Sequence, residues 1–278
     1  MTGTLYIVGT PIGNLEDFSP RAIRTLSECD FIAAEDTRVT LKLLNHFEIK
    51  KQMISYHDHN RFDMAQTILS RIIAGESCAL VTDAGMPAIS DPGIELVDLC
   101  HSSGVSVQSV PGPTAVATAA ALSGMDVTRF VFEGFITVNK PSRKQRLSEL
   151  VSEKNTMIIY EAPHKLASTL HDLYVYLGDR KIAVIKEITK IHESVERSTL
   201  AELDGKYDNM KLKGEYVLVV EGCGESVAVK NEGEAVAFAR ELVSLGAPAS
   251  DAAKYAAKKF DMKKGDIYKS LVNGDGIE

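Results

Sequence analysis

Residues 4–20 read TLYIVGTPIGNLEDFSP, a short apolar run broken by Gly9-Thr10-Pro11-Ile12-Gly13-Asn14. Thr4 to Val8 has the content of a short buried β-strand. A strand that feeds a glycine loop suggests a phosphate cradle, yet both spacing rules for one are broken. A P-loop requires G-x-x-x-x-G-K-[ST], and here Asn14-Leu15 follows Gly13. A dinucleotide loop requires G-x-G-x-x-G, which Gly9 and Gly13 do not satisfy. Pro11 also removes one of the amides such a cradle would use. Two readings are left: a tight strand-to-helix turn, or a loop that admits a ligand at the carboxyl end of the first strand.

Working outward, the first half alternates strand and helix patterns. LYIVGT, FIAAED, MISYH, CALVTDAG and VSVQSVPGP read as strands, with SPRAIRTLSECD, TLKLLNHF, RFDMAQTILSRIIAGES and GIELVDLCHSSG as helices between them. That order predicts an α/β fold with a mostly parallel N-terminal sheet. PGPTAVATAAALSG opens a small-residue helix at a domain boundary. Beyond it, FVFEGFI, TMIIYEA, KIAVIKEI, HESVERSTLAEL and GEYVLVVEG read as strands with fewer helices between them, predicting a mixed-sheet α+β second domain. Gly222 to Gly233 suits a linker, and the tail reads as three short helices with turns at Gly246 and Asp261–Gly265. The expected domains are 1–112, 113–224 and 225–278.

The 278 residues carry a net charge of −7, with 45% hydrophobic and 25% charged residues. An acidic balance disfavours a general polyanion binder but leaves room for local basic patches. Cys29, Cys78, Cys100 and Cys223 are far apart with no C-x-x-C pair, which argues against a structural zinc site and fits reduced thiols in a cytoplasmic protein. The first basic residue is Arg21, and no apolar run reaches membrane-spanning length, so neither a secretory signal nor a membrane span is expected.

Two further loops resemble the first in placement. LVTDAGMPAISDPG ends a buried strand in Asp83 and then runs through small residues to Gly93, letting backbone approach a ligand. Asp83 reads either as an acceptor for a ligand hydroxyl or ammonium group or as a turn cap. SVPGPTA ends a strand in a Pro-Gly-Pro turn with Thr114 as a helix N-cap. Three such loops at strand ends can converge on one cleft.

VGTPIGNLEDFSPRAIRTL, AAEDTR, TDAGMPAISDPG, VPGPTA, YEAPHKL and KEITKIHE, taken together and in this order, resemble the tetrapyrrole-methylase superfamily of S-adenosylmethionine enzymes over about residues 4–222. Within it, the chain is similar to the branch that acts on ribosomal RNA. The resemblance implies a two-domain fold with S-adenosylmethionine folded between the domains, no metal, a homodimer, and 2′-O-methylation of a cytidine in 16S rRNA of the small ribosomal subunit. It also implies a helix-turn-helix-like tail. By motif match, Asp83, Gly85, Met86 and Ala88 would line the methyl donor, as would Thr114, Ala115, Tyr160 and Glu161, with Pro11 at the cleft mouth. The superfamily's loop is often Gly-Asp-Pro where this chain has Thr82-Asp83-Ala84, which alters the turn after Asp83.

Methyl transfer from a sulfonium to an oxygen is an in-line displacement, so alignment carries most of the acceleration. A general base or a cation beside the forming oxyanion would assist. Glu35, Asp36 and Arg38 at the end of the second strand are candidates, with Asp36 as base and Arg38 on a phosphate or the oxyanion; a surface ion pair is the alternative. Lys186 is a second candidate base, sharing a strand face with Lys190 if KEITKIHE is extended. His57 and His59 share a face by the same rule and fit an RNA groove better than a metal pair. Lys140, Arg143, Lys144 and Arg146, with Lys254 and Lys258 on one tail helix face, read as phosphate contacts or as ordinary solvated surface. Two other functions stay open at this point: a small-molecule methylase acting on a macrocycle, and a ligand-sensing nucleic-acid regulator.

Overall fold

The computed structural model describes residues 2–223, 232–244, 247–260 and 262–273. Two compact units divide the chain at Gly222. The first contains two five-stranded sheets, and the N-terminal one comprises β1 (Thr4–Val8), β2 (Phe31–Ala34), β3 (Gln52–Ser55), β4 (Cys78–Val81) and β5 (Ser106–Val110). Their spatial order is β3-β2-β4-β1-β5 and every pairing is parallel. Side chains alternate across each strand, so this sheet has two apolar faces, and helices cover both.

On one face Val8, Ile32, Ala34, Ala79 and Val81 pack with Ala22 and Leu26 of α1 (Pro20–Glu28) and Leu44 of α2 (Thr37–His46). On the other, Leu5, Phe31 and Leu80 pack with Ile68 and Ile72 of α3 (Arg61–Ile73) and Leu96 of α4 (Ile94–Ser102). Local chemistry starts these helices. Ser19 caps α1 through Ala22 N, with Pro20 at its first position. The direction of strand addition reverses after β3, because β4 returns to lie between β2 and β1. Ligand crevices of open α/β sheets form at such a reversal, outside the carboxyl ends of the strands.

The second sheet is mixed: β6 (Phe130–Phe135), β7 (Thr156–Glu161), β10 (Tyr216–Val220), β8 (Lys181–Lys186) and β9 (Ser194–Thr199) in spatial order, with only β6 and β7 parallel. Its helical cover is heavier than the sequence reading expected. Small-residue α5 (Ala115–Ser123) lies on one face against Ile158, Ala183, Ile185 and Val217. On the other lie α6 (Lys140–Leu150), α7 (Leu166–Leu177) and α8 (Leu200–Leu203), burying Leu147, Leu170 and Leu203 against Ile159 and Leu218. The apolar stripe Leu166, Leu170, Leu173 and Leu177 of α7 has helical spacing and lies wholly in this core.

KEITKIHE is not one strand. β8 ends at Lys186, and Glu187 (φ 52°) and Thr189 (φ 65°) turn the chain sharply. Lys186 and Lys190 therefore do not share a strand face.

In the second unit α9 (Glu232–Ser244), α10 (Ala249–Lys259) and α11 (Lys264–Asn273) pack around Ala239, Ala252, Ala256 and Ile267. Most of the expected linker, the turn residue Gly246 and Asp261 lie outside the described residues. Among the described residues no helix is long and apolar enough to cross a membrane, and no group of three metal-ligating side chains occurs.

Candidate active site

The first glycine loop and the Pro-Gly-Pro turn meet backbone to backbone. A Cβ at Gly9 would stand 2.7 Å from Gly112 Cα and 2.6 Å from Met86 Sδ, so only glycine allows the approach. Thr10 and Gly85 exchange backbone hydrogen bonds of 2.9 and 3.1 Å, and Thr10 Oγ1 donates to the Thr82 carbonyl. The loops after β1, β4 and β5 are thereby fastened into one floor. Above it lies a cavity of about 340 Å³, within the range of small-molecule sites.

Its walls are mainly apolar. Ile12, Met86 and Ile89 come from the first sheet's loops, and Phe135, Tyr160, Ile188 and Val217 from the second sheet. Tyr160 is held edge-on by Phe132 and Phe135, at centroid distances of 4.9 and 5.6 Å, and burial raises its pKa. Polar side chains are few: Ser90, Thr114, which caps α5 through Ala117 N, the hydroxyls of Tyr160 and Tyr216, and the carboxylates of Asp91, Glu161 and Glu215. A cationic, amphipathic methyl donor suits this set, with apolar walls for an adenine-type ring, exposed loop backbone and carboxylates for positive charge.

Of the expected donor residues, Gly85, Met86, Thr114, Ala115, Tyr160 and Glu161 line the cavity, while Pro11, Asp83 and Ala88 do not. Pro11 yields its place to Ile12. Ala88, at φ 63°, turns the loop and sits under Gly93, whose added Cβ would meet it at 2.8 Å. Asp83 instead accepts from Asp36 N at 3.2 Å; burial, then Glu35, raises its pKa.

The expected catalytic trio is also rearranged. Asp36 caps α2 and is gripped by Arg38 through Nε and Nη2, at 3.0 and 2.6 Å. Those bonds hold its carboxyl well below the usual carboxylate range, so it is a poor proton acceptor near neutral pH. Arg38 is spent on the same pair, although its side chain remains 87% exposed. Lys186 reaches the Tyr216 ring at 5.8 Å and is not a lining residue.

The basic patch divides. Arg143 donates to Asp172 at 2.7 Å and to the buried Thr169 at 2.9 Å, and Arg146 forks onto Glu133 and reaches Glu149. Lys140 and Lys144 are exposed, as is Lys254, whereas the Lys258 side chain lies outside the described residues. The His57 and His59 rings meet edge to face at 5.9 Å in the turn after β3, not on a strand face.

Sequence reading passed over Asp91. It lies inside the quoted loop, between Ser90 and Pro92, where no local signal separates it from the neighbouring turn residues. Burial first, then the charges of Glu35, Asp83 and Asp58, push its pKa up to about 6, with the Thr82 hydroxyl acting in the opposite direction. A carboxyl raised on folding favours the native state below the unfolded value near 4 and loses that contribution as pH rises through the folded value. Asp91→Asn is accordingly expected to flatten the stability–pH curve between about pH 4 and 6, as read by denaturant titrations across that window.

The sequence profile of the Tetrapyrrole (Corrin/Porphyrin) Methylases matches residues 4–204. The chain is 45% identical over 270 residues to ribosomal RNA small subunit methyltransferase I of Halalkalibacterium halodurans, covering 96% of this chain and 93% of that protein. It is 42% identical to the Bacillus subtilis protein of the same name, covering 96% and 93%. The Thermotoga maritima one is 43% identical over 220 residues, 79% of this chain and 99% of that protein. Among solved structures, uroporphyrin-III C-methyltransferase of Thermus thermophilus complexed with S-adenyl homocysteine superposes with a TM-score of 0.55 at 18% identity, covering 82% of this chain and 100% of that one. Diphthine synthase does so with 0.58 at 14%, covering 78% and 89%. The chain belongs to the tetrapyrrole methylase family, in the group of ribosomal RNA small subunit methyltransferase I.

Proposed function

We propose that this methyltransferase moves a methyl group from S-adenosylmethionine to the 2′-hydroxyl of a cytidine in 16S rRNA of the small ribosomal subunit. The observation that supports the rRNA part of the reading is identity of 45% over 96% of the chain with a relative named ribosomal RNA small subunit methyltransferase I; the cytidine 2′-hydroxyl follows the motif resemblance. The cavity supports it: a donor of this class supplies an electrophilic methyl on cationic sulfur, and these walls accommodate both parts. Gly85, Met86, Thr114 and Ala115 would hold the donor through the loop floor, and Tyr160 from the second sheet. The apolar walls would exclude water and strengthen every charge interaction inside. Exposed Lys140, Lys144 and Lys254 would contact RNA phosphates, which lets a net-acidic protein hold a polyanion. A homodimer and a cytoplasmic site of action belong to the same proposal.

The test is incubation of the purified protein with isotope-labelled donor and immature small subunits, followed by nucleoside digestion. Label in 2′-O-methylcytidine is expected. Label on a base, or none with subunits while a macrocycle accepts it, would overturn the reading. Calorimetric titration with S-adenosylhomocysteine is expected to register one saturable site.

A further inference from the structure

We propose that a groove within the second unit seats an unpaired nucleotide of ribosomal RNA, its base on the Tyr268 ring and its phosphate toward Arg240. The proposal rests on the function proposed above and adds to it a substrate-gripping site outside the methyl-transfer cavity.

The second unit is not needed to build that cavity. All of the lining residues precede Gly222, where the first unit ends. The Thermotoga maritima relative is covered to 99% by 220 residues of this chain, about the length of the first unit by itself. That protein carries the same name with no length left over for a tail, so the tail here is an addition to the transferase. Its composition points to a polyanion. Residues 249–273 hold six lysines against three aspartates, in a chain whose net charge is −7.

The groove has a volume of about 470 Å³, within the range of small-ligand sites. Helical period builds it. Ile267 and Leu271 of α11 are buried among the alanines of α9 and α10. Tyr268 and Val272 come one residue later, about 100° further round the helix, and line the groove with 41% and 40% of their surface exposed. In the same way Arg240 follows the buried Ala239 on α9 and lines the groove with Val243. Ala249 also lines it, at the start of α10. Lys264 Nζ donates to the hydroxyl of the next residue, Ser250, at 2.9 Å, which brings a second cation to that end. Glu241 and Asp251 are exposed nearby in sequence, and neither lines the groove.

A part-exposed aromatic ring beside aliphatic Val243 and Val272 offers a seat for the flat face of a base, and cations at the margins suit its phosphates. Bases inside a duplex already stack on both faces, so the seat selects an unpaired nucleotide. Stacking tolerates any base, so this contact holds RNA without choosing the methylated position. Because one chain carries both units, the second contact raises the local concentration of RNA at the first.

Steady-state kinetics on immature small subunits read the effect as a split. Tyr268→Leu keeps apolar volume and loses the flat ring, so KM for subunits is expected to rise at least about fivefold while kcat stays within about twofold. Tyr268→Phe is expected to restore KM. Salt titrations of RNA binding are expected to keep the wild-type slope in Tyr268→Leu, whereas Lys264→Gln lowers it by up to about one counterion. Photo-cross-linking of the wild-type chain to small-subunit RNA substituted with 5-iodopyrimidines needs no variant, and attachment at Tyr268 is expected by mass spectrometry. Wild-type KM in Tyr268→Leu, cross-links confined to the first unit, or a Tyr268→Leu variant that changes oligomeric state and not RNA affinity would overturn the proposal. Absence of methyl transfer by the wild type would overturn the functional reading instead, and the cross-link and salt titrations then decide the groove by themselves.

Discussion

Gly112→Ala is expected to leave the protein unable to bind S-adenosylhomocysteine, with affinity reduced at least about 100-fold, and to cost about 1–3 kcal/mol of stability. The added Cβ would stand 2.8 Å from Gly9 C, Cα and O, all backbone atoms that no rotamer change can move aside. To make room, the first loop must lift away from the third, and it takes Thr10 with it. Thr10 is 1% exposed and tied to Gly85 through both backbone groups, so the displacement reaches a residue that lines the cavity. Neither Gly9 nor Gly112 has a positive φ; close approach, not backbone freedom, is what excludes a side chain here. Gly104→Ala is the matched control. Gly104 is at φ 69° with nothing within 4 Å of its added Cβ, so alanine costs about 1–2 kcal/mol of backbone strain and leaves ligand affinity unchanged. Calorimetric titration and thermal melting of both variants separate the two effects. Ligand affinity equal to wild type in Gly112→Ala would show that the loop contact does not shape the site.

Arg143→Ala is expected to destabilise the first unit by about 2–3 kcal/mol, lowering its melting temperature by about 5–10 °C. The guanidinium closes a line of partners: Asp172 on one side, and on the other Thr169, which donates in turn to the buried Glu161 carboxylate. Removing it leaves Asp172 without its cation and loosens the hydroxyl that holds Glu161 in the cavity wall. Lys140→Ala with Lys144→Ala should behave differently. Both lysines are exposed on α6, so stability is expected to hold while RNA affinity falls and its salt dependence weakens by up to about two counterions. Denaturant melts beside RNA titrations at several salt concentrations make the comparison. Loss of RNA affinity with unchanged melting in Arg143→Ala, as in the double lysine variant, would show Arg143 to be a phosphate contact after all.

Arg143 illustrates how far sequence reading reached. Four basic residues within seven positions were legible as a cluster, but the partners of Arg143 are Thr169 and Asp172, 26 and 29 residues further on. Nothing local distinguishes a cation that turns inward from one that meets solvent. The acids at the site tell the same story. Asp83 and Asp91 lie in one loop, and the acid that ends the strand drew attention because strand ends face ligand crevices. Turns at Gly85 (φ 89°), Ala88 (φ 63°) and Gly93 (φ 152°) instead rotate the later acid into the cavity and leave the first against β2. Asp36 was read as both base and possible ion pair. The choice followed from geometry two residues long, since Arg38 closes back on the acid that caps its own helix.

Alternating strand and helix periods, capping residues such as Ser19 and Thr114, and glycine loops at three strand ends were present in the amino-acid order alone. Each depends on interactions within a few residues, where chain connectivity limits the choices. Strand order 3-2-4-1-5, the meeting of Gly9 with Gly112 and the pairing of Thr82 with Glu35 were decided only by tertiary packing. Those contacts join segments tens of residues apart, and their energies exist only once both apolar faces of the sheet are buried.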